Sequence, residues 1–167
     1  MTEALFAAGF RMVEVPLNSP QALRSIERIA HQFGDVILVG AGTVLAPEQV
    51  HQVREKGGRL IVAPNTNLPV IQAGVEAEMV TIPGAATPTE AFAGIQAGAS
   101  GVKVFPAEAI GPQVLASWRA VIPDTAPLLP VGGIDSHNMS DYWQAGAAGF
   151  GIAVSYTHLT LPTNTVV

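Results

Sequence analysis

The chain has 167 residues, 49% of them hydrophobic and 13% charged, with a net charge of −5 and a mean hydropathy of +0.36. One domain with a sizeable core is expected at this length, and the acidic balance without a basic stretch argues against nucleic acid as a partner. No apolar run approaches ~18 residues, the start MTEALFAAGF does not resemble a signal peptide, and cysteine is absent, so membrane spans, secretion and thiolate metal ligands are not expected. These features predict a soluble cytoplasmic protein.

Short β-branched runs alternate with amphipathic or alanine-rich segments along the chain. The predicted strands are 11–17, 36–44, 59–66, 78–84, 101–107, 128–134 and 149–153. A helical segment follows each strand except the last, and several of these segments open with Ser, Thr or Asn before a proline or an acid. Strands that recur about every 20–25 residues with helices between them indicate repeated βα units and a parallel sheet.

Two architectures fit this alternation, a doubly wound sheet and a (β/α)8 barrel. Glycines fall at strand ends throughout the chain, and neither a GxGxxG nor a GxxxxGK[ST] phosphate motif is present. The glycines therefore favour the barrel, although the pattern contains seven strands where a barrel needs eight.

Two charged residues stand inside apolar strands. Glu14 lies between Val13 and Val15, and Lys103 has a valine on either side. Because side chains alternate across a strand, both charged groups point away from their valines, and in a barrel they would meet inside it. A desolvated amine can attack a carbonyl to form a Schiff base, and a nearby carboxylate can move protons. A buried ion pair that only fills the barrel is an equally open alternative.

Other polar candidates also follow predicted strands. Thr43 in GAGTV either contributes a hydroxyl to a site or caps a local turn. Gly132 and Gly133 in VGGI either make a tight turn or expose backbone amides to a phosphate at a helix N-terminus. The four histidines show no metal-ligand spacing, so no metal site is expected.

Six segments occur in order along the chain: VEVPLNSP, GAGTVL, IVAPNTN, IPGAATPTE, GVKVFPAEAIGP and PVGGI. Together they resemble the bacterial 2-keto-3-deoxy-6-phosphogluconate and 6-phosphogalactonate aldolases over about residues 2–153. The resemblance implies a (β/α)8 barrel that assembles as a homotrimer and uses class I aldolase chemistry without a metal or a cofactor.

The resemblance also assigns roles to residues. Lys103 matches the Schiff-base lysine, and Glu14 matches the carboxylate that donates and accepts protons. Substrate-binding positions are implied at Thr43, Pro64, Asn18, Gly132, Gly133 and Gly151. Thr43 and Pro64 match positions that line the pyruvate-binding part, and the glycine pair matches part of a phosphate-binding loop.

The segment LNSP bears on the substrate. Gluconate-type members carry LRT after this strand, whereas Asn18 stands here in place of that arginine, as in the galactonate-type enzymes. We therefore expect retro-aldol cleavage of 2-keto-3-deoxy-6-phosphogalactonate to pyruvate and glyceraldehyde 3-phosphate. The alternatives are a 2-keto-3-deoxy-6-phosphogluconate or 4-hydroxy-2-oxoglutarate aldolase and, from other classes, a phosphosugar isomerase or a non-catalytic phosphate-ligand binding domain.

Both ends depart from the family pattern. The first family strand, with its IxRG-like arginine, has no counterpart, which would account for the count of seven. After GFGIA the chain continues as VSYTHLTLPTNTVV, without helical apolar periodicity, and Val154 stands where a phosphate-binding serine is expected. We therefore expect residues 1–153 to form a partial barrel and residues 154–167 to be a foreign, unstructured tail. A chain of this kind would be weakly active or inactive.

Overall fold

The structure, a computed structural model, describes residues 2–152. Its strands are β1 (Met12–Pro16), β2 (Leu38–Gly42), β3 (Leu60–Val62), β4 (Val80–Ile82), β5 (Gly84–Ala85), β6 (Val102–Val104) and β7 (Leu128–Pro130). Its helices are α1 (Thr2–Ala7), α2 (Ala22–Phe33), α3 (Pro47–Glu55), α4 (Leu68–Glu76), α5 (Pro88–Gln96), α6 (Ala107–Arg119) and α7 (Met139–Gln144). The expected tail, residues 154–167, lies outside the described residues.

All strand pairings are parallel and follow chain order. Strands β1 to β4 form one sheet, and β5 to β7 form a second. Within residues 2–152, β1 pairs with β2 alone, so the strands form an open part of a barrel rather than a closed ring. The predicted α/β class with parallel strands is confirmed.

The seven observed strands are not the seven predicted ones. Predicted strand 78–84 is divided at Pro83, so that β4 pairs with β3 while β5 pairs with β6. Proline has no N–H to donate to a ladder, which explains a break at this position. Predicted strand 149–153 was too long, because its described part contributes a single bridge between Val131 and Gly151.

Apolar side chains pack on both faces of the strands. On the outer face, buried Val15, Val102 and Val104 pack in the clusters that join the strands to the helices. On the inner face, six residues form a separate group, here called the inner cluster: Leu38, Leu60, Val62, Val80, Ile82 and Leu129. Burial on both faces explains why the strands read as nearly continuous hydrophobic runs.

Local sequence signals explain where α5 begins and where α6 bends. At the start of α5, Thr87 Oγ1 accepts a hydrogen bond from the Glu90 N–H, and Glu90 Oε2 accepts from the Thr87 N–H at 2.9 Å. The hydrogen bond from the Ala86 N–H lowers the pKa of the Glu90 carboxyl, and the capping-box bonds from Thr87 add to that effect. Helix α6 is kinked at Gly111, where φ is 67° and Pro112 follows.

Among the helices of residues 2–152, none is long and apolar enough to cross a membrane.

Candidate active site

Strand register places Glu14 and Lys103 on the same face. Glu14 is the register partner of Gly40, which is in turn opposite Leu60 of the inner cluster. Lys103 is opposite Leu129, which belongs to the same cluster. Because register partners share a face of a sheet, both charged side chains point to the interior of the partial barrel. Both side chains therefore have the inward direction that strand alternation predicts.

Burial and mutual attraction shift the pKa values of Glu14 and Lys103 in opposite directions. Lys103 is 9% exposed, and desolvation lowers the pKa of its amine while the charge of Glu14 opposes that change. Burial likewise raises the pKa of the Glu14 carboxyl, and the ammonium of Lys103 opposes the rise. In both groups desolvation is the larger effect, so the site favours a neutral amine and a protonated acid more than water does.

The two groups act on each other without touching. Within residues 2–152 the direct ion pairs join other residues, so the Glu14 carboxylate and the Lys103 amine are separated by more than an ion-pair distance. Lys103 Nζ lies 4.5 Å from the centroid of the Phe105 ring, on the same face of β6. The Glu14 carboxylate lies over Gly42 at the end of β2. The two groups are therefore close enough to influence each other's pKa but too far apart to form a direct ion pair.

Thr43 follows β2 directly and has a strained backbone. Its φ is 56°, in the left-handed region that a β-branched residue rarely adopts, and the residue is half-buried. Within the described part of the chain its hydroxyl makes no hydrogen bond, so it does not cap the local turn. A strained residue with an unused hydroxyl at the carboxyl end of a strand is available to a ligand.

Pro64 lies beside the lysine strand. A Cβ on Gly84 would overlap the carbonyl of Pro64 and lie 2.8 Å from the Asn65 nitrogen. Gly84 is the register partner of Lys103, so the backbone of Pro64 packs one strand away from the amine. Asn18, by contrast, is exposed in the turn between β1 and α2, outside the inner cluster.

The three candidate phosphate-binding glycines lie close together. Gly132 and Gly133 follow β7 with φ of 101° and 65°, and the bridge from Val131 places Gly151 next to them. The N–H of Gly151 also donates to the Pro130 carbonyl at 3.0 Å.

Sequence reasoning did not single out Glu108, whose carboxylate lies over the same turn. A Cβ on Gly133 would be 3.2 Å from Glu108 Oε2, and one on Gly132 would overlap that oxygen. Glu108 also adds to burial in raising the pKa of Tyr142, whose hydroxyl donates to the Ala107 carbonyl at 2.7 Å. A carboxylate here opposes a bound phosphate; its place in the first turn of α6 was visible in the sequence, but its contact with the glycines was not.

Side chains suited to metal binding do not gather in this region. In the part of the chain that the structure describes, no group of three or more His, Cys, Asp or Glu residues could hold a metal ion.

A family model described as KDPG and KHG aldolase matches residues 1–159. The chain belongs to this aldolase family. Its sequence is 46% identical over 149 residues to the 2-dehydro-3-deoxy-6-phosphogalactonate aldolase of Escherichia coli K12, covering 89% of this chain and 73% of that protein. It is 45% identical to a probable 2-dehydro-3-deoxy-6-phosphogalactonate aldolase of Rhizobium meliloti, covering 91% and 72%, and 37% identical to the KHG/KDPG aldolase of E. coli K12, covering 85% and 66%.

Solved aldolase structures share the fold. A native KDPGal structure superposes with a TM-score of 0.92 at 42% identity, covering 96% of this chain and 78% of that one. The KDPG aldolase from Legionella pneumophila, with pyruvate captured as a covalent carbinolamine, gives a TM-score of 0.81 at 36% identity, covering 89% and 73%. The family resemblance carried by the six motifs is therefore confirmed, whereas the roles of individual residues remain predictions.

Proposed function

We propose that this aldolase-family chain cleaves 2-dehydro-3-deoxy-6-phosphogalactonate to pyruvate and glyceraldehyde 3-phosphate through a Schiff base on Lys103. The observation that carries the proposal is a buried lysine with a lowered pKa, sharing the inner face with a half-buried glutamate whose pKa is raised. A neutral amine is the nucleophile that such chemistry needs, and desolvation shifts Lys103 towards that form.

The first half of the reaction forms the iminium. Lys103 Nζ adds to the C2 carbonyl carbon, and the carbonyl oxygen takes up the proton that leaves the nitrogen. Glu14, whose pKa is raised by burial, donates a proton to the carbinolamine hydroxyl, which leaves as water. The product is an iminium ion that can accept an electron pair.

The second half breaks the carbon–carbon bond. The Glu14 carboxylate accepts the proton of the C4 hydroxyl, the C3–C4 bond breaks, and its electron pair moves into the iminium to give an enamine. Glyceraldehyde 3-phosphate leaves as the C4 carbonyl forms. Glu14 then returns the proton to C3. Water hydrolyses the resulting iminium, which releases pyruvate, frees the amine of Lys103 and returns the remaining proton to Glu14.

The remaining candidates are assigned to the two halves of the substrate. Thr43 and Pro64 would contact the pyruvate half, because they lie at the carboxyl ends of neighbouring strands. The backbone amides of Gly132 and Gly133 would bind the phosphate, with Glu108 displaced from above them. Gly151, whose N–H is bonded to the Pro130 carbonyl, would lie beside the phosphate without donating to it.

The galactonate epimer is supported by Asn18 and by the identities. Identity is 46% to the phosphogalactonate aldolase of E. coli and 37% to its KHG/KDPG aldolase. The second candidate is cleavage of the gluconate epimer or of 4-hydroxy-2-oxoglutarate. Rates measured with both phosphorylated epimers decide between them.

A homotrimer is proposed as the assembled form. It is supported by the family resemblance and by a match at 45% identity, over 89% of this chain, to a cage designed by fusing symmetric oligomeric domains. Light scattering coupled to size-exclusion chromatography tests it, since a monomeric mass at micromolar concentration would contradict the trimer.

The decisive experiment is borohydride reduction in the presence of pyruvate, followed by intact mass and peptide mapping. The chain has two lysines, so Lys56 is an internal control: it is paired with Glu27 at 3.1 Å near the surface. We expect one adduct, on Lys103, retained in Lys56→Arg and lost in Lys103→Arg.

The same variants separate the rival functions. An isomerase that uses Glu14 as a base would keep turnover in Lys103→Arg, and a binding domain would keep ligand affinity without Lys103. A chain that is folded by circular dichroism and forms no adduct would contradict the Schiff-base mechanism.

A further inference from the structure

Gly42, at the end of β2, is the position over which the Glu14 carboxylate lies. A Cβ placed on Gly42 would overlap Glu14 Oε2 and lie 2.5 Å from its Cδ and 3.2 Å from its Oε1. The three nearest atoms to that Cβ therefore all belong to one side chain. An alanine at this position and the carboxylate in its present place exclude each other.

The backbone gives no separate reason for glycine at this position. Gly42 is absent from the glycines of residues 2–152 that have positive φ, so its conformation is open to other residues. Its carbonyl accepts a hydrogen bond from the Leu17 N–H at 2.9 Å, and it is in register with Pro16. Because these contacts hold the backbone, a methyl group here would displace the carboxylate rather than the strand.

Gly40, two residues earlier on the same face, provides a contrast. A Cβ there would overlap the carbonyl oxygen of Leu60 and lie 2.5 Å from its carbon and 2.7 Å from its Cα. Those atoms are backbone and cannot rotate away. Glycine at 40 is thus needed for strand packing, whereas glycine at 42 makes room for a functional group.

We infer that Gly42 is a positioning residue for the acid–base carboxylate, because its missing side chain is the space in which Glu14 lies. The inference rests on the proposed function, in which Glu14 transfers protons to and from the substrate. Proton transfer requires hydrogen-bond reach, and a misplacement of about 1 Å can lower a rate ~100-fold. Gly42 acts through Glu14 and touches no substrate atom in this scheme.

The test compares Gly42→Ala with two matched glycine variants. We expect Gly42→Ala to melt within a few °C of the parent and to lose about 100-fold in kcat. Deuterium exchange into the methyl group of pyruvate, followed by NMR, should slow similarly because it needs the same proton transfer. Gly40→Ala should fail to fold or melt far lower.

Gly74→Ala is the second control, since its Cβ would overlap the Thr81 hydroxyl between α4 and β4. It introduces a side-chain collision away from the inner face. We expect it to change the melting temperature but to keep kcat.

A double variant distinguishes positioning from general damage. If Gly42 acts only through Glu14, adding Gly42→Ala to Glu14→Gln should change kcat less than 3-fold beyond Glu14→Gln alone, an order-of-magnitude limit on additivity. The inference would be overturned if the kcat losses of Gly42→Ala and Glu14→Gln multiplied in the double variant. It would also be overturned if Gly42→Ala folded and kept the parental kcat and the parental rate of deuterium exchange.

Failure of the proposed function is recognised separately. It would appear as a parent protein without cleavage and without a pyruvate adduct. The surroundings of the Glu14 carboxyl can then still be tested by following its 13C resonance through a pH titration of the labelled protein. A titration curve that differs between Gly42→Ala and the parent supports the inference, and identical curves overturn it.

Discussion

Replacing Thr43 by glycine should make the protein more stable and less able to bind pyruvate. The residue has φ of 56° and is half-buried, and its hydroxyl makes no hydrogen bond within the described residues. Relief of strain at a β-branched left-handed residue is worth about 2 kcal/mol. The greater conformational entropy of glycine in the unfolded chain costs about 0.7 kcal/mol of stability. Loss of the half-buried methyl group costs about 0.4 kcal/mol more. The net gain is about 1 kcal/mol, or roughly 2–4 °C in melting temperature.

The loss of binding follows from the hydroxyl. A hydrogen bond to a charged carboxylate contributes about 1.5–3 kcal/mol, so the dissociation constant of pyruvate should rise about 10- to 100-fold. Calorimetric melting and pyruvate titration measure the two effects on the same sample.

Two controls isolate the two effects of Thr43→Gly. Thr43→Ser keeps the hydroxyl and should keep most of the pyruvate affinity. Glu78→Gly changes an exposed residue with the same φ of 56°, and it should gain stability without any effect on pyruvate. If Thr43→Gly bound pyruvate as tightly as the parent, the hydroxyl would have no part in binding. If Thr43→Gly melted lower while Glu78→Gly melted higher, the backbone at Thr43 would not be strained.

Three further variants test the electrostatics and packing. Because the negative charge of Glu14 raises the pKa of Lys103, Glu14→Gln should lower that pKa further, so the pH profile of adduct formation should move to lower pH; a move to higher pH would contradict the coupling. Glu108→Gln removes a negative charge from the glycine turn and should lower KM for the phosphorylated substrate about 2- to 5-fold, with pyruvate exchange unchanged; an unchanged KM would place the phosphate elsewhere. Leu60→Ala empties part of the inner cluster and should cost about 2–5 kcal/mol in denaturant unfolding, whereas exposed Leu45→Ala should cost little; equal costs would mean that the interior is loosely packed.

Much of the fold could be read from local pattern. Strand positions and parallel pairing follow from the spacing of short β-branched runs, and these features depend on residues close in sequence. The inward direction of Glu14 and Lys103 follows from the period of two along a strand, which needs no knowledge of the neighbouring strand. The family could be read from six ordered motifs because each lies within one strand and its following turn.

Features that depend on contacts between strands could not be predicted from local sequence pattern. The break at Pro83 reflects which neighbour each half of the segment pairs with, and the short final strand reflects how few of its residues reach β7. The nearness of Glu108 to Gly133 joins the start of α6 to the turn after β7.

The sequence alone therefore determined the α/β class, the aldolase family and the inward direction of the amine and the acid, because alternation and motif order are local properties of the chain. The tertiary structure alone decided the balance of burial against attraction that shifts both pKa values, the strain at Thr43 and the space that Gly42 leaves for the Glu14 carboxylate. The pKa shifts and the space at Gly42 depend on distances between residues far apart in sequence, and the dihedral angle at Thr43 is fixed by the strand and turn around it. None of these exists until the strands have paired and packed.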